Sequence, residues 1–190
     1  MAAVGVWTAE IVNRREIPLL ARRITAMRPI ARELNIVDAT KPAIVKREEL
    51  WYDENEWDVY LPGDRFQLAL ATQDIDIGGL AEAIRRIQLP AGRFRLAILQ
   101  DKTETGWRVR VMKDGEELLA VDEPAEWYPS HGSSGGGHFS VTQQPDPQQP
   151  IELFRRRFSR PINKTSSQTP KGPCEGVLLW IERNDDPSKK

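Results

Sequence analysis

One short segment of the chain has the spacing of a catalytic motif. Residues 132–136 read GSSGG and match the pattern G-x-S-x-G, in which Ser134 would be the nucleophile of a hydrolase. That motif is a strained turn between a strand and a helix, whereas a β-type pattern follows the segment here. The chain has two histidines, so the general base would have to be His131 or His138. A flexible Gly/Ser-rich loop explains the segment better, and we predict no catalytic residues and no enzymatic activity.

Metal binding is also disfavoured by the sequence. His131 and His138 could hold a metal together with Glu126, but a run of glycines separates the histidines and their spacing matches no zinc pattern. The acidic turn at residues 53–56, which reads DENE, and Asp58 lack the spacing and the terminal bidentate glutamate of a calcium loop. A solvated hairpin turn explains them better, and we expect neither a metal nor another cofactor.

The sharpest local charge feature is the run FRRRF at residues 154–158. Aromatic and basic side chains interleaved on a strand can bind single-stranded nucleic acid, and Phe154, Arg155 and Arg157 would make the contacts. The net charge of −1 provides no field that attracts a polyanion, so a nucleic-acid partner is not favoured. We favour a strand whose arginines lie along the sheet surface or pair with the carboxylates of a neighbouring strand. The carboxylates available for this are Glu116, Glu117, Asp122 and Glu123.

Two long segments show no regular hydrophobic pattern and are predicted to be loops. They are residues 123–137 and residues 160–175. Long loops in a compact domain are either functional or disordered. The first carries Trp127 and Tyr128, whose rings could stack on a glycan or another small ligand.

A repeated phrase indicates how the chain positions these residues. Residues 60–71 read YLPGDRFQLALA and residues 88–99 read QLPAGRFRLAIL. The prolines set φ at the first turn position, and Gly63 and Gly92 supply the conformational freedom that such turns need. After each turn, large apolar residues alternate with polar or small ones, as in a half-buried strand. The phrase predicts a mainly β fold, an antiparallel β-sandwich built from similar strand–turn–strand units.

The period-two pattern continues from residue 43 onward and defines ten candidate strands. Phe66 and Phe94 have the same phase in the two phrases, so we expect both to be buried in equivalent positions. The last strand is apolar on both faces and should lie centrally in its sheet. The candidates are residues 43–52, 57–61, 65–72, 84–89, 93–100, 107–112, 116–122, 138–144, 151–158 and 176–183.

The N-terminal segment has a different, helical pattern at residues 8–35. Pro18 and Pro29 should kink the helix or divide it into shorter pieces. The apolar residues 1–9 are either a frayed terminus or the end of a membrane anchor. Apolar residues recur at alternating steps of three and four, and this seam is able to mediate self-association. The seam comprises Ile17, Leu20, Ile24, Met27, Ala31 and Leu34.

The composition fits one domain with attachments. The chain has 190 residues with 39% hydrophobic content, enough for one core, and its 14 prolines and 13 glycines favour a loop-rich β fold. Cys174 is the single cysteine, which excludes an internal disulfide. We expect a helical segment at residues 1–35, a β-sandwich domain at residues 43–183 and a disordered tail at residues 184–190. The helical segment is a remnant of an anchor or stalk only if the apolar residues 1–9 end a membrane anchor rather than form a frayed terminus.

The phrase L-P-x-G-x-[FY]-x-L, at residues 61–68 and 89–96, resembles a recurrent element of prealbumin-like and PEGA-type β-sandwich modules. The first copy departs by one step, because Gly63 directly follows Pro62. The layout also resembles that of uncharacterised bacterial proteins with a membrane anchor and one β-domain. The resemblance implies a β-sandwich and an envelope setting, and it assigns no catalytic residues.

Two functions are compatible with these patterns. The first is a non-enzymatic interaction module that contacts a protein partner and is membrane-anchored at the bacterial cell envelope, a setting slightly favoured over the cytoplasm. The alternative is a soluble module that binds a ligand or glycan through the loops at residues 123–137 and 160–175.

Overall fold

A computed structural model of the chain shows a mainly β fold. It describes residues 20, 23, 27, 32–47, 55–127, 132–135, 139–163 and 167–184. The strands are β1 (Ala43–Lys46), β2 (Asn55–Leu61), β3 (Phe66–Ala71), β4 (Arg85–Leu89), β5 (Gly92–Lys102), β6 (Gly106–Lys113), β7 (Glu116–Pro124), β8 (Gly132–Gly135), β9 (Ile151–Phe158), β10 (Arg160–Pro161), β11 (Ser167–Gln168) and β12 (Gly176–Arg183).

The strands form two five-stranded antiparallel sheets. Sheet A has the order β1-β2-β5-β6-β7, and sheet B has the order β4-β3-β12-β9-β8. The strands β10 and β11 pair separately with each other. The predicted mainly β class is confirmed, and the two sheets are consistent with a β-sandwich.

The inner faces of both sheets contribute to one apolar core. In β2, Trp57, Val59 and Leu61 are fully buried, and the residues between them are half-buried, as the period-two pattern predicts. Phe66 and Phe94 are 5% and 6% exposed and belong to this same core, which confirms their expected burial. Each such side chain contributes about 1.5–3 kcal/mol through removal of apolar surface from water.

The two copies of the repeated phrase form neighbouring connections between the sheets. One links β2 of sheet A to β3 of sheet B, and the other links β4 of sheet B to β5 of sheet A. They lie side by side, since Leu61 pairs with Gly92 and Phe66 with Leu89. Gly92 has φ +104°, a conformation that favours glycine, but Gly63 has no such angle. The expected need for glycine therefore holds at Gly92 and is wrong at Gly63.

The strand β12 lies at the centre of sheet B, between β3 and β9, which confirms its predicted position. It is buried on both faces because residues 72–84 cover the outer face of the sheet. There, Ile75 packs with Leu178 and Trp180 in a second, smaller apolar cluster.

Two predicted segments differ from the structure. Residues 138–144 do not form a ladder strand in their described part; Gln143 and Ile44 instead exchange two backbone hydrogen bonds of 2.9 Å, and the segment covers the edge of β1. Gly132–Gly135, predicted to be flexible, is the edge strand β8. Pairing with β9 satisfies backbone groups that a free loop would leave to water.

Most of the predicted N-terminal helix lies outside the described residues. The apolar residues 1–9, which were interpreted as a frayed terminus or the end of a membrane anchor, and residues 185–190 of the predicted tail lie outside them as well. Residues 32–35 are not helical, and Arg32 has φ +47°, so the predicted extension of the helix to residue 35 is wrong. Thr142 fastens this segment to the domain: its hydroxyl donates to the carbonyl of Glu33 and accepts from the amide of Asn35, both at 2.9 Å. Within the described residues, no helix is long and apolar enough to cross a membrane.

Candidate functional site

The two predicted long loops meet at one end of the two-sheet domain. A cleft of about 310 Å³ lies between them and the chain that follows β3. The first loop contributes Glu123 and Trp127 to its lining, and the second contributes Arg160, Cys174 and Glu175. Groups that are far apart in sequence therefore converge on one concave site, which is the usual form of a ligand site.

Thr72 joins the elements beneath this cleft. It directly follows β3 and is fully buried. Its hydroxyl donates a short hydrogen bond to Oε1 of Glu123, at the end of sheet A. Its carbonyl oxygen accepts bonds from Nε1 of Trp127 at 3.0 Å and from the amide of Gly176 at 3.1 Å. The floor of the cleft is therefore fixed to both sheets.

Glu123 occupies an inward position of its strand. It has the same phase in β7 as Leu119 and Val121, which pack against the core, and it is 8% exposed. Oε1 accepts the bond from Thr72, but no described residue donates to Oε2 or forms an ion pair with the carboxylate. Oε2 is not among the fully buried polar atoms, so it faces the cleft and is able to accept a hydrogen bond from a ligand.

One wall of the cleft is an ion pair. Nη2 of Arg160 lies 2.9 and 2.8 Å from the two carboxylate oxygens of Glu175. The hydrogen bonds from Arg160 lower the pKa of Glu175, and those bonds in turn raise the pKa of Arg160. Arg160 and Glu175 therefore each stabilise the charged form of the other, and each already has an ionic partner.

Arg157 holds the other wall segments in place. Ile75 and Cys174 exchange two backbone hydrogen bonds of 2.9 and 3.1 Å. Nε of Arg157 donates to the carbonyl of Ile75 at 3.0 Å, and Nη2 donates to those of Pro170 and Gly172 at 2.8 and 2.5 Å. This guanidinium is 8% exposed, so it acts as an internal anchor for both segments.

Arg155 has a similar anchoring role further along the outer face of sheet B. It donates to the carbonyl oxygens of Asp76 and Gly79 at 2.7 and 2.5 Å and pairs with Glu152 of its own strand. Arg155 and Arg157 of β9 thus bind backbone carbonyls, and Arg155 also binds Glu152. The expected pairing with a neighbouring strand's carboxylates is wrong at these two positions, because residues 72–84 and 170–172 cover this face. The expected carboxylates were Glu116, Glu117, Asp122 and Glu123.

The aromatic residues singled out from the sequence lie in the interior where they are described. Phe154 is buried and meets Trp57 edge-on, with ring centroids 6.4 Å apart. Trp127 is 4% exposed and meets Phe158 edge-on at 4.8 Å. Trp127 therefore contributes to the floor of the cleft rather than to an exposed stacking surface. Tyr128 lies outside the described residues.

Several residues of the cleft were not singled out from the sequence. The inward phase of Glu123 in residues 116–124 is a signal that could have found it. Nothing in the sequence links Arg160 to Glu175, or Thr72 to either loop, because these contacts form only when the sheets pack.

The histidines proposed for catalysis or metal binding lie outside the described residues. Among the described residues, no three His, Cys, Asp or Glu side chains are placed to hold a metal ion together. Ser134 is in the edge strand β8, whose backbone pairs with β9 rather than forming a strand-to-helix turn.

A second, wider groove of about 1010 Å³ crosses the outer face of sheet A. Its charges largely neutralise one another: Arg47 lies 3.4 Å from Glu56 and 3.0 Å from Asp58, and Arg95 lies 3.4 Å from the same Asp58. Such exposed pairs contribute little to stability and leave little net charge for a partner. Leu34 of the N-terminal seam also lines this groove.

No model of a known protein family, no curated protein and no solved structure matches this chain. The function therefore has to be argued from the cleft.

Proposed function

We propose that this chain is a non-enzymatic β-sandwich module that binds its partner through the cleft between the loops. The observation that carries the proposal is the convergence of Glu123, Trp127 and Glu175 on one site with a rigid floor. Since Thr72 and Arg157 fix the floor and walls, the site is organised before any ligand enters it.

The chemistry of the cleft supports binding rather than covalent catalysis. Its thiol, Cys174, is 5% exposed, and its Sγ donates to the carbonyl oxygen of Ile75 at 3.8 Å. A reactive thiol is typically accessible to its substrate, whereas this thiol is buried. The remaining polar side chains of the described lining are carboxyl groups, the amide of Gln73 and one paired guanidinium, which position a ligand.

The volume of the cleft suits one side chain or one small molecule. A partner protein would insert a side chain into it, and we propose that such protein contacts occur in the setting expected from the sequence, the cell envelope. A small free ligand or a glycan residue is the alternative.

A fragment screen by nuclear magnetic resonance tests this function. We expect binding fragments to shift the amide resonances of Asp74, Glu126 and Cys174 and the indole resonance of Trp127. Amides at the opposite end of the domain, such as that of Asp64, should not move. Fragment shifts confined to other surfaces would contradict the assignment of the site.

The absence of serine hydrolase activity has its own test. Treatment with a fluorophosphonate probe should leave Ser134 unlabelled, because its backbone pairs regularly with β9 and does not form the strained turn that exposes a serine nucleophile. The Ser134→Ala variant provides the background signal. Labelling of Ser134 above that background would contradict the non-enzymatic assignment.

A further inference from the structure

We propose that the cleft recognises an organic cation, a protonated amine or a guanidinium group, with Glu123 as its counterion. This inference rests on the proposed function and names the chemistry of the ligand.

The charges around the cleft are unbalanced. Its lining includes the acidic residues Asp74, Glu123 and Glu126, and no described residue forms an ion pair or a side-chain hydrogen bond with the carboxyl group of Asp74 or Glu126. Arg160 is the one cationic side chain among the described lining residues, and both oxygens of Glu175 engage it. Among the described residues, the cleft therefore presents three acidic side chains that form no ion pair with a cationic side chain.

The position of Glu123 indicates which of these acidic groups a cationic ligand would pair with. It is more than nine-tenths buried at the floor, and only Oε1 has a hydrogen-bond donor among the described residues. An N–H donor from a cation would give Oε2 a charge-assisted hydrogen bond. Because the surroundings are partly apolar, that bond is stronger than the same contact on an open surface.

The arrangement favours an organic cation over a metal ion. Calcium and magnesium need several oxygen ligands within a short distance of one centre. The described acidic side chains do not converge in that way. They are spread between the floor at Glu123 and the exposed walls at Asp74 and Glu126, which suits a long cation whose alkyl part lies beside Pro124 and Pro173.

A free amine and a lysine or arginine side chain of a partner protein share this chemistry. Both offer N–H donors with positive charge at the end of a narrow apolar stem. The experiment therefore first compares cationic, anionic and neutral probes. It then compares a free amine with a lysine or arginine side chain in a peptide.

The first comparison uses n-butylammonium, n-butylguanidinium, butyrate and n-butanol as probes of similar size, with the indole N–H resonance of Trp127 as the readout. The Trp127→Phe variant assigns that resonance among the six tryptophans. We expect a saturable shift with the two cations only, which weakens as salt is added. A shift with butyrate or butanol alone would overturn the cation inference and leave the cleft as a binding site.

The second comparison tests the role of Glu123. In Glu123→Gln the side-chain oxygen still accepts the bond from Thr72, but the negative charge is lost. We expect at least a tenfold weaker affinity for n-butylammonium. Glu116→Gln, on the same strand but at its far end, should bind as the wild type does.

If Glu123→Gln does not fold, a second variant replaces it. We expect Glu126→Gln, on the exposed wall, to lower the affinity for both cations several-fold. No saturable shift with either cation, or unchanged affinity in both cleft variants, would overturn the inference. The fragment screen decides separately whether the cleft binds anything.

The third comparison identifies the source of the cation. Peptides with one central lysine or arginine, acetylated and amidated to remove terminal charges, are titrated beside n-butylammonium. Tighter binding of a peptide supports a side chain of a partner protein, and tighter binding of the amine supports a free ligand. Either result supports recognition of a cation.

Discussion

Arg157 illustrates how a residue that suggests one role in the sequence has another in the folded chain. In the run FRRRF it resembles a contact for phosphate groups. In the structure its guanidinium binds three backbone carbonyls of two separate segments and is almost inaccessible. Its five donors in a planar fork suit this task, because one compact lysine ammonium cannot reach all three oxygens.

The Arg157→Lys variant tests this anchoring role. We expect a loss of roughly 2–3 kcal/mol in the free energy of unfolding, since hydrogen bonds from a charged donor are lost and buried carbonyls become unpaired. Urea denaturation followed by circular dichroism measures the change. Arg93→Lys, an exposed position in β5, is the matched control and should change stability by less than about 0.5 kcal/mol. Equal stabilities of the two variants would contradict the anchoring role.

At the scale of elements, the two connections between the sheets differ in their need for glycine. A Cβ atom at either Gly63 or Gly92 meets no atom within 4 Å, so space does not distinguish them. The backbone conformation does, because only Gly92 has a positive φ.

Substitution of each glycine by alanine separates these effects. We expect Gly92→Ala to lower the free energy of unfolding by about 1–3 kcal/mol through backbone strain. Gly63→Ala should be neutral or stabilise by up to about 1 kcal/mol, because it restricts the unfolded chain. Thermal and urea denaturation of both variants check the difference. A similar loss at both positions would mean that the connections share one requirement.

Glu182 links three strands on the outer face of sheet B. It accepts hydrogen bonds from Trp180 of β12 at 2.8 Å, from Gln67 of β3 at 2.9 Å and from Arg86 of β4 at 3.0 Å. Burial acts to raise the pKa of Glu182, but these three hydrogen bonds outweigh it, and the pKa lies below its ordinary value of 4.5.

The lowered pKa of Glu182 predicts a pH-dependent contribution to stability. The ionised form is stabilised in the folded state, so the contribution is full above the ordinary pKa and disappears as the pH falls through the lower folded value. We expect wild type to exceed Glu182→Gln in stability near neutral pH, and the difference to shrink in acid below about pH 4. Urea denaturation across this range measures it, with Glu116→Gln as the control. A difference that grows in acid would contradict the assigned sign.

At the scale of the whole molecule, the shared core predicts that both sheets unfold together. Phe94 of sheet A and Leu179 of sheet B belong to the same buried cluster, which contains residues from β1 to β6, β9 and β12, and Leu119 and Val121 of β7 pack against it. Two sheets that can bury their inner faces only against each other have no stable form alone.

The Phe94→Ala variant tests this cooperativity. We expect it to lower the free energy of unfolding by about 3–5 kcal/mol, as for other buried aromatic side chains. Tryptophan fluorescence and far-ultraviolet circular dichroism should give coincident transitions for both wild type and variant. Separate transitions, or a loss below about 1 kcal/mol, would contradict a single shared core.

The sequence by itself determined the local features of this protein. Period-two alternation is a property of a strand alone, so it predicted the burial of Phe66 and Phe94. Segments of strand length that contain apolar residues and are bounded by turn residues predicted β9 and β12 at their observed bounds. The apolar character of both faces of β12 was enough to predict its central position.

The tertiary structure decided what depends on contacts between distant segments. The pairing of β8 with β9, the partners of Arg157 and the meeting of Glu123 with Thr72 all require the two sheets to be packed. The sequence predicted two loops and one basic strand. Nothing in it indicated that an arginine of this strand binds backbone carbonyls of a loop that forms the cleft. Hydrogen bonds to backbone carbonyls leave no pattern in side-chain types, because every residue supplies a carbonyl oxygen. The cleft is therefore a property of the packed sheets and cannot be read from either loop alone.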